Sequence, residues 1–259
     1  MKKNDVVAVV LGGPSSEADI SRVTGAAIAA ALREKGYDAK ELELVPEHLL
    51  QLLHAMNAKV VFNAVHGKYG EDGRMQSMLE AAGIPYTGSG VLASAVGMDK
   101  SATKRFLLSA GISTPRSLII NKREAGDLVE LQKKIVAEFG LPVVIKAATQ
   151  GSSIGVVIPK TEEEIVPALE DAFSYSENVL VEECIKGKEL TVAMMEENGE
   201  PKPLPVIWIA PHSGAYDFHS KYTKGATDYH CPAPLDEKIT EHVQDLAKKT
   251  YKVLGLRGV

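Results

Sequence analysis

The first third of the sequence alternates short apolar runs with amphipathic stretches. Runs with the length of strands lie at residues 6–11, 39–44 and 60–63. Apolar residues recur at helical spacing at residues 20–35 and 46–56, and Gly36 stands where a helix C-terminal cap is expected. This β-α-β-α-β order predicts an open parallel sheet with helices on both faces over about residues 1–90.

Beyond residue 86 the pattern changes to strands separated by turn signals. The predicted strands lie at residues 117–120, 143–146, 155–158, 179–183, 189–196 and 204–209, with helices at 92–98, 102–110, 162–173 and 237–254. Asn198-Gly199 predicts a hairpin turn. Residues 212–234 are polar with little periodicity, which is typical of a functional lid loop or of a disordered segment.

Composition excludes several classes of function. The 259 residues are 45% hydrophobic, enough for a substantial core, and the formal net charge is −5. A nucleic-acid-binding surface of clustered Lys and Arg is therefore not expected. The sequence has no apolar run of about 18 residues that could span a membrane. Cys184 and Cys231 are expected to be reduced thiols, so we expect a soluble cytoplasmic protein.

Two glycine-rich loops follow predicted strands of the first sheet, at the edge where open α/β sheets bind ligands. The loop at residues 12–21 places Glu17 and Asp19 at a helix start. These acids could simply cap the helix, or Glu17 could hold a substrate ammonium group. In the loop at residues 63–73, three glycines are interleaved with acids and follow His66 after a strand end, which favours a site residue over a structural histidine.

Three later segments also indicate ligand binding. Lys146 ends an apolar strand, where an unpaired ammonium group is costly to bury, and it would suit a phosphate. The Gly-Ser-Ser-Ile-Gly loop at residues 151–155 supplies N–H and hydroxyl donors for phosphate, although an ordinary hairpin loop is the alternative. Residues 179–189 end a strand in acids that could bind an adenine and a ribose. Residues 216–233 mix aromatic and charged side chains, as a lid over ligands does.

Other familiar motifs are weak or missing. Residues 88–93 match G-x-G-x-x-A, but they lie late in the first sheet and lack the acidic residue of a dinucleotide site. The sequence contains no P-loop, no His/Cys spacing for zinc and no G-x-S-x-G elbow.

In this order, the five segments resemble the D-alanine–D-alanine ligase family of ATP-grasp enzymes. The most specific similarities are Gly-Gly-x-Ser-x-Glu, His-Gly-x-x-Gly-Glu-Asp-Gly, Met-Asp-Lys at residues 98–100, Lys-x(4)-Gly-Ser-Ser-x-Gly and Tyr-Asp…Lys-Tyr…Cys-Pro-Ala. The resemblance implies a combined α/β and α+β fold. An N-terminal open parallel sheet domain (residues 1–91) would precede an ATP-grasp fold with a central subdomain (92–185) and a C-terminal subdomain (186–259).

The resemblance also implies a reaction and its residues. Two D-alanines would be joined through an acyl phosphate at the expense of ATP, for peptidoglycan precursor synthesis in cell-wall formation. Implied catalytic residues are Glu17, Ser152, Lys221 and Tyr222, with Glu17, Ser152 and Tyr222 as a hydrogen-bonded triad. Implied D-alanine-binding residues are Glu17, His66 and Ser152. Implied ATP-binding residues are Lys100, Lys146, Ser153, Glu182, Ile185, Glu189 and Lys221.

The end of the sequence departs from the family pattern. Family members continue with an Arg-x-Asp strand and a Glu-x-Asn turn, which supply ligands for Mg²⁺ or Mn²⁺. We therefore expect the metal ligands to lie beyond Val259, the last subdomain to be incomplete and turnover by this chain to be doubtful. A nucleotide-binding protein without turnover, another ATP-grasp ligase and a D-alanine–D-lactate ligase stay open, although Tyr222 argues against the last. The family suggests a homodimer.

Overall fold

The computed structural model describes residues 2–258, which form two compact units. The first unit contains the chain up to Met98 together with the segment from Leu254 onward, and the second contains Asp99–Val253. Within residues 2–258, none of the helices combines the length and apolar character needed to cross a membrane. The boundary between a central and a C-terminal subdomain near residue 185 stays a prediction.

The first unit is a parallel sheet with helices on both faces. Its elements are β1 (Val6–Leu11), α1 (Ala18–Glu34), β2 (Asp38–Glu43), α2 (Leu49–Ala55), β3 (Ala58–Asn63), α3 (Arg74–Ala81) and α4 (Val91–Met98). The strand order is β2-β1-β3, and β1 is parallel to both neighbours. This order confirms the parallel sheet expected from the sequence, whereas α3 was not predicted.

Alternate residues of β1 enter two separate apolar clusters. Val9 packs with Ala29 of α1 on one face, and Val10 packs with Leu53 of α2 and Leu79 of α3 on the other. Because helices cover both faces, the strand is apolar along its length instead of alternating with polar residues.

The cap predicted at Gly36 is confirmed. Gly36 has a positive φ of 82°, and its N–H donates to the Arg33 carbonyl at 2.9 Å. The Tyr37 N–H reaches back to the Leu32 carbonyl at 3.0 Å. These two bonds form a Schellman motif, in which a glycine in the left-handed conformation ends the helix.

The second unit is built on antiparallel sheets. Its elements are α5 (Lys100–Ser109), β4 (Ser117–Asn121), α6 (Leu128–Phe139), β5 (Val143–Ala147), β6 (Val156–Val157), α7 (Ile165–Tyr175), β7 (Asn178–Glu183), β8 (Glu189–Thr191), β9 (Met194–Glu197), β10 (Glu200–Pro203), β11 (Ile207–Pro211), α8 (Phe218–Tyr222), β12 (Thr227–His230) and α9 (Glu237–Leu254). The strand orders are β4-β7-β5-β6, β12-β11-β8 and the hairpin β9-β10.

One face of the four-stranded sheet forms the main core of this unit. Val143 of β5 and Val181 of β7 pack with Ile135 of α6 and Leu169 of α7. Helix α6 was missed in the sequence, although Asp127 marks its start by accepting the N–H groups of the second and third helical residues. The opposite face of the sheet is left for polar side chains.

The strand predicted at residues 189–196 is wrong, because the chain forms two strands there with different partners. β8 pairs with β11, whereas β9 pairs with β10. The strand predicted at residues 204–209 is displaced, since β10 ends at Pro203 and β11 begins at Ile207. The hairpin turn at Asn198-Gly199 is confirmed. A change of pairing partner leaves no mark on local hydrophobic periodicity.

The segment at residues 212–234 contains two short elements that the sequence did not predict, α8 and β12. Asp217 caps α8 by accepting the Ser220 N–H at 2.7 Å. Thr227 Oγ1 donates to the Ser220 carbonyl at 2.7 Å and ties β12 to the helix. A five-residue helix is too short to produce a recognisable apolar period.

The segment after α9 returns to the first unit at the G-x-G-x-x-A turn. The Arg257 guanidinium lies 5.1 Å from the centre of the Tyr86 ring, and its Nε donates to the Gly88 carbonyl at 3.1 Å. The Arg257 N–H donates to Ser89 Oγ at 3.3 Å. This glycine turn therefore binds an arginine of the same chain.

We expect Gly25→Ala to destabilise the protein although alanine favours helices. A Cβ at Gly25 would lie 2.6 Å from Leu11 Cβ, so β1 and α1 would have to separate. Overpacking of this kind costs about 1–3 kcal/mol, against a helix-propensity gain of about 1 kcal/mol. Gly97→Ala in α4 is the matched control, because nothing lies within 4 Å of its Cβ. Urea unfolding that finds both variants equally stable would contradict the expectation.

Candidate functional site

The polar face of the four-stranded sheet carries charged side chains on neighbouring strands. In the register of β5 and β7, Val144 lies opposite Glu182 and Lys146 lies opposite Leu180. Since side chains alternate along a strand, Lys146 and Glu182 project from the same face as diagonal neighbours. This is the face opposite α6 and α7.

Helix α5 brings two further lysines to this face, Lys100 and Lys104, which are one helical turn apart. Lys104 Nζ donates to Glu182 Oε1 and to the Pro115 carbonyl, both at 2.7 Å. Lys146 Nζ pairs with Glu182 Oε2. Side-chain exposure is 8% for Lys104, 7% for Glu182 and 22% for Lys146. Sequence reasoning missed Lys104, whose only signal was its spacing from Lys100.

Lys100 lies beside this ion-paired group, with its Nζ donating to the Gln150 carbonyl. Burial and the nearby Lys146 charge lower the pKa of Lys100 to about 8, against the opposing influence of Asp99 and Glu182. The lysine is therefore close to losing its proton at moderately alkaline pH. An anion placed beside it would favour the charged form.

Three ammonium groups thus gather around the Glu182 carboxylate, which leaves a surplus of positive charge at a largely desolvated face. Such a surplus attracts anions, and restricted access of water strengthens the attraction. Lysine ammonium groups act as point-charge donors to phosphate oxygens. The cluster of Lys100, Lys104, Lys146 and Glu182, called here the lysine cluster, has the charge of a phosphate-binding site.

The serine loop, residues 151–155, contacts the segment at residues 212–234, which is called the lid from here on. Ser152 Oγ lies 2.8 Å from Tyr222 Oη and accepts from Lys221 Nζ at 3.2 Å. Ser153 Oγ donates to the Tyr216 carbonyl at 2.8 Å. Ser152 and Ser153 have positive φ values of 50° and 60°. Two successive non-glycine residues in this sparsely populated region indicate backbone strain, which is common at ligand-binding loops.

The lid also includes an edge strand of the three-stranded sheet, β12, and Tyr216 contacts this strand. Tyr216 Oη and Tyr229 Oη are 2.9 Å apart, and their rings meet edge to face. Burial and the bond to Tyr229 raise the pKa of Tyr216 to about 12, with a smaller contribution from the Glu189 charge. Glu189 and Tyr229 both lie opposite Ile209, so they share one face of this sheet.

The two remaining predicted nucleotide residues lie on the connection from the four-stranded to the three-stranded sheet. Ile185 lies two residues after the end of β7 and is 66% exposed. Glu189 begins β8 and is also exposed. Neither belongs to the lysine cluster, so the predicted ATP residues fall into three groups: the cluster, the contact of the serine loop with the lid, and this connection.

The two predicted substrate residues of the first unit lie on adjacent loops. Glu17 is buried at the residue before α1, and His66 lies in the loop after β3. A Cβ at Gly67 would lie 2.9 Å from Glu17 Oε2 and 2.8 Å from Ser15 Oγ. Only a glycine at this position, which also has a positive φ of 68°, lets the loops approach so closely.

The structure thus brings part of the predicted triad together. Ser152 and Tyr222 are hydrogen-bonded within the second unit. Glu17 belongs to the first unit, and its link to the other two residues stays a prediction. The described residues 2–258 contain no group of three or more His, Cys, Asp or Glu side chains suited to hold a metal ion.

Comparison with known proteins places this architecture in a defined class. The chain matches the sequence profile of the D-ala D-ala ligase N-terminus over residues 42–89 and of the D-ala D-ala ligase C-terminus over residues 106–259. It is 46% identical, over 253 residues, to a D-alanine--D-alanine ligase from Moorella thermoacetica. That alignment covers 97% of this chain and 81% of the relative.

Two solved structures show the same fold. D-alanyl-alanine synthetase A from Vibrio cholerae superposes with a TM-score of 0.85 and 28% identity, covering 100% of this chain and 83% of that chain. D-alanine--D-alanine ligase from Bacillus anthracis, complexed with ATP, gives a TM-score of 0.79 and 32% identity, covering 98% and 79%. The fold is that of an ATP-grasp ligase. This chain belongs to the D-alanine–D-alanine ligase family.

The pKa of Lys100 predicts pH-dependent anion binding. Below about pH 8 its ammonium group is present before an anion arrives, whereas above this pH the anion must bind together with a proton. We expect the Kd for sulfate, whose own charge is constant here, to rise between pH 8 and 9 by up to about tenfold. Calorimetry at each pH measures this change. A Lys100→Met variant with the same pH dependence as the unaltered protein would refute the assignment.

Proposed function

We propose that this protein joins two D-alanine molecules into D-alanyl-D-alanine at the expense of ATP, supplying a peptidoglycan precursor. The observation that carries the proposal is the lysine cluster beside the strained serine loop and its lid, in a chain of this ligase family. Phosphoryl transfer depends mainly on positioning and on neutralisation of phosphate charge, and this arrangement offers both.

In this proposal ATP binds against the polar face of the four-stranded sheet. Lys100 and Lys146 contact its phosphates. Their two positive charges exceed the single negative charge of Glu182, so a net positive charge is left for the phosphates. Ser153 lies on the serine loop next to them, and Lys221 approaches from α8, where it already donates to Ser152. The ATP complex of the Bacillus anthracis ligase supports nucleotide binding by this fold.

The adenosine part would lie along the connection from β7 to β8. The exposed Ile185 side chain offers an apolar surface for the base, and the exposed Glu189 carboxylate can accept ribose hydroxyls. Glu182 would accept the adenine amino group. Both of its oxygens already bind lysines, but a carboxylate oxygen has two lone pairs, so each can accept a further bond.

The first D-alanine would bind through the Glu17 carboxylate, which suits its ammonium group, with His66 nearby. Glu17, Ser152 and Tyr222 would form the triad that links the substrate loop to the lid. The Ser152–Tyr222 bond supports one half of this triad.

The reaction then has two steps. A carboxylate oxygen of the first D-alanine attacks the γ-phosphorus, giving an acyl phosphate and ADP. The amine of the second D-alanine attacks the acyl carbon, a proton leaves the amine, and phosphate departs. Mg²⁺ or Mn²⁺ would accompany the nucleotide, as in the family, but the described residues supply no cluster of ligands for it. The lysines, the serine loop and the lid would position the reactants and neutralise phosphate charge.

An assay with D-alanine, ATP and Mg²⁺ tests this proposal. The ligase proposal predicts phosphate release and a D-alanyl-D-alanine product identified by mass spectrometry. Offering D-lactate as the second substrate tests the depsipeptide alternative, which predicts an ester product instead. ATP binding without phosphate release would favour a nucleotide-binding protein without turnover and would overturn the ligase proposal for this chain.

We further propose that the protein acts as a cytoplasmic homodimer, as the family resemblance implies. A net charge of −5 gives no support for nucleic acid as a partner. Sedimentation velocity over a range of concentrations measures the oligomeric state, and a single monomeric species throughout would contradict the homodimer.

We expect Lys146→Ala to weaken ATP binding much more than D-alanine binding. A charge-assisted hydrogen bond contributes about 1.5–3 kcal/mol, so the Kd for ATP should rise about tenfold or more. The KM for D-alanine should change less than about twofold. The control is Lys133→Ala, which removes a 65% exposed lysine paired with Glu130 on α6. Equal ATP affinity in both variants would contradict the assignment of Lys146 to phosphate binding.

A further inference from the structure

We propose that Lys104 is a positioning residue that acts through Glu182 to hold the Lys146 ammonium group ready for phosphate. The proposal rests on the proposed function, because it assumes that ATP phosphates bind at the lysine cluster. Lys104 was not among the residues expected from the sequence, and it is less exposed than Lys146.

The Lys104 side chain is buried although it carries a charge. An ammonium group taken out of water loses several kcal/mol of hydration, which good ion-pair and hydrogen-bond geometry must offset. Lys104 has such partners in Glu182 Oε1 and the Pro115 carbonyl. A packed apolar residue often stabilises a fold as well as a buried ion pair does, so stability alone does not account for a lysine here.

The geometry divides the Glu182 carboxylate between two lysines. Lys104 occupies Oε1 from α5, and Lys146 occupies Oε2 from β5. Lys104 is nearly inaccessible, whereas Lys146 keeps 22% of its side chain exposed. Lys104 therefore fixes the rotation of the carboxylate, and the carboxylate directs the Lys146 ammonium group toward the accessible side of the cluster.

Charge sharing gives Lys104 a second effect through the same carboxylate. With Lys104 present, one negative charge is divided between two ammonium groups, so neither is fully neutralised. Without Lys104, the whole Glu182 charge would face Lys146 and draw it into a closed ion pair. A phosphate would then have to compete with that carboxylate, so ATP affinity would fall while the D-alanine site stayed intact.

The first test compares Lys104→Met with Lys133→Met, which removes the same charge from the surface of the same unit. We expect Lys104→Met to raise the Kd for ATP, measured calorimetrically with Mg²⁺ present, by about tenfold. In the phosphate-release assay its KM for ATP should rise similarly, with kcat and the KM for D-alanine within about twofold of the unaltered protein. Lys133→Met should change none of these. Equal ATP affinity in both variants would overturn the proposal.

The second test removes Glu182 as the intermediary. If Lys104 acts only through Glu182, then Lys104→Met/Glu182→Gln should bind ATP as Glu182→Gln alone does. If the double variant bound ATP more weakly than Glu182→Gln does, the proposal would be overturned. This comparison also applies if Lys104→Met alone fails to fold, because the double variant leaves no orphan buried carboxylate.

The outcomes separate the two proposals. If the unaltered chain binds ATP and the variants behave as expected but no dipeptide forms, the positioning role stands and the ligase proposal fails. If dipeptide forms and Lys104→Met behaves as Lys133→Met does, the ligase proposal stands and the positioning role fails. If the unaltered chain binds no ATP, both are overturned.

Discussion

Burial of the Glu182 carboxylate is the constraint on which the polar half of the second unit depends. A buried carboxylate is tolerated only when both oxygens have strong partners, because an isolated buried ion costs several kcal/mol. Its partners come from two separate elements, α5 and β5. Helix α5 must therefore lie where Lys104 reaches the end of β7, and this placement also brings Lys100 to the same face. The same contacts therefore give the buried carboxylate its partners and place an excess of positive charge on this face.

Local sequence signals placed a lysine and a serine loop at a strand end, and the phosphate role that they indicate stays a prediction. Lys146, at the end of an apolar strand, and the serine loop after it indicated phosphate, and Gly36 marked the end of α1. The Lys104–Glu182 pair could not be found this way, because 78 residues separate the two side chains and only the sheet register joins them. An alternating pattern defines which face a residue occupies, but it does not identify the strand or helix opposite.

The first unit was easier to predict than the second for a related reason. Its parallel sheet is made by consecutive β-α-β crossovers, and both β2 and β3 pair with β1, so three consecutive strands make up the sheet. In the second unit the chain changes pairing partner between β8 and β9, and the lid contains a helix of five residues. The sequence placed the loops of Glu17 and Gly67 at the same edge of the sheet, but their close contact could not be predicted, because it joins residues of two separate loops.

The contact of Arg257 with the turn after Tyr86 has a consequence for biosynthesis. Chain elongation produces residues 86–90 long before it produces Arg257, and the whole second unit is translated in between. The carbonyl of Gly88 and the ring of Tyr86 therefore meet their guanidinium partner only after the second unit has been synthesised. On a nascent chain the first unit therefore begins to assemble before the second unit is made and gains this contact only after it.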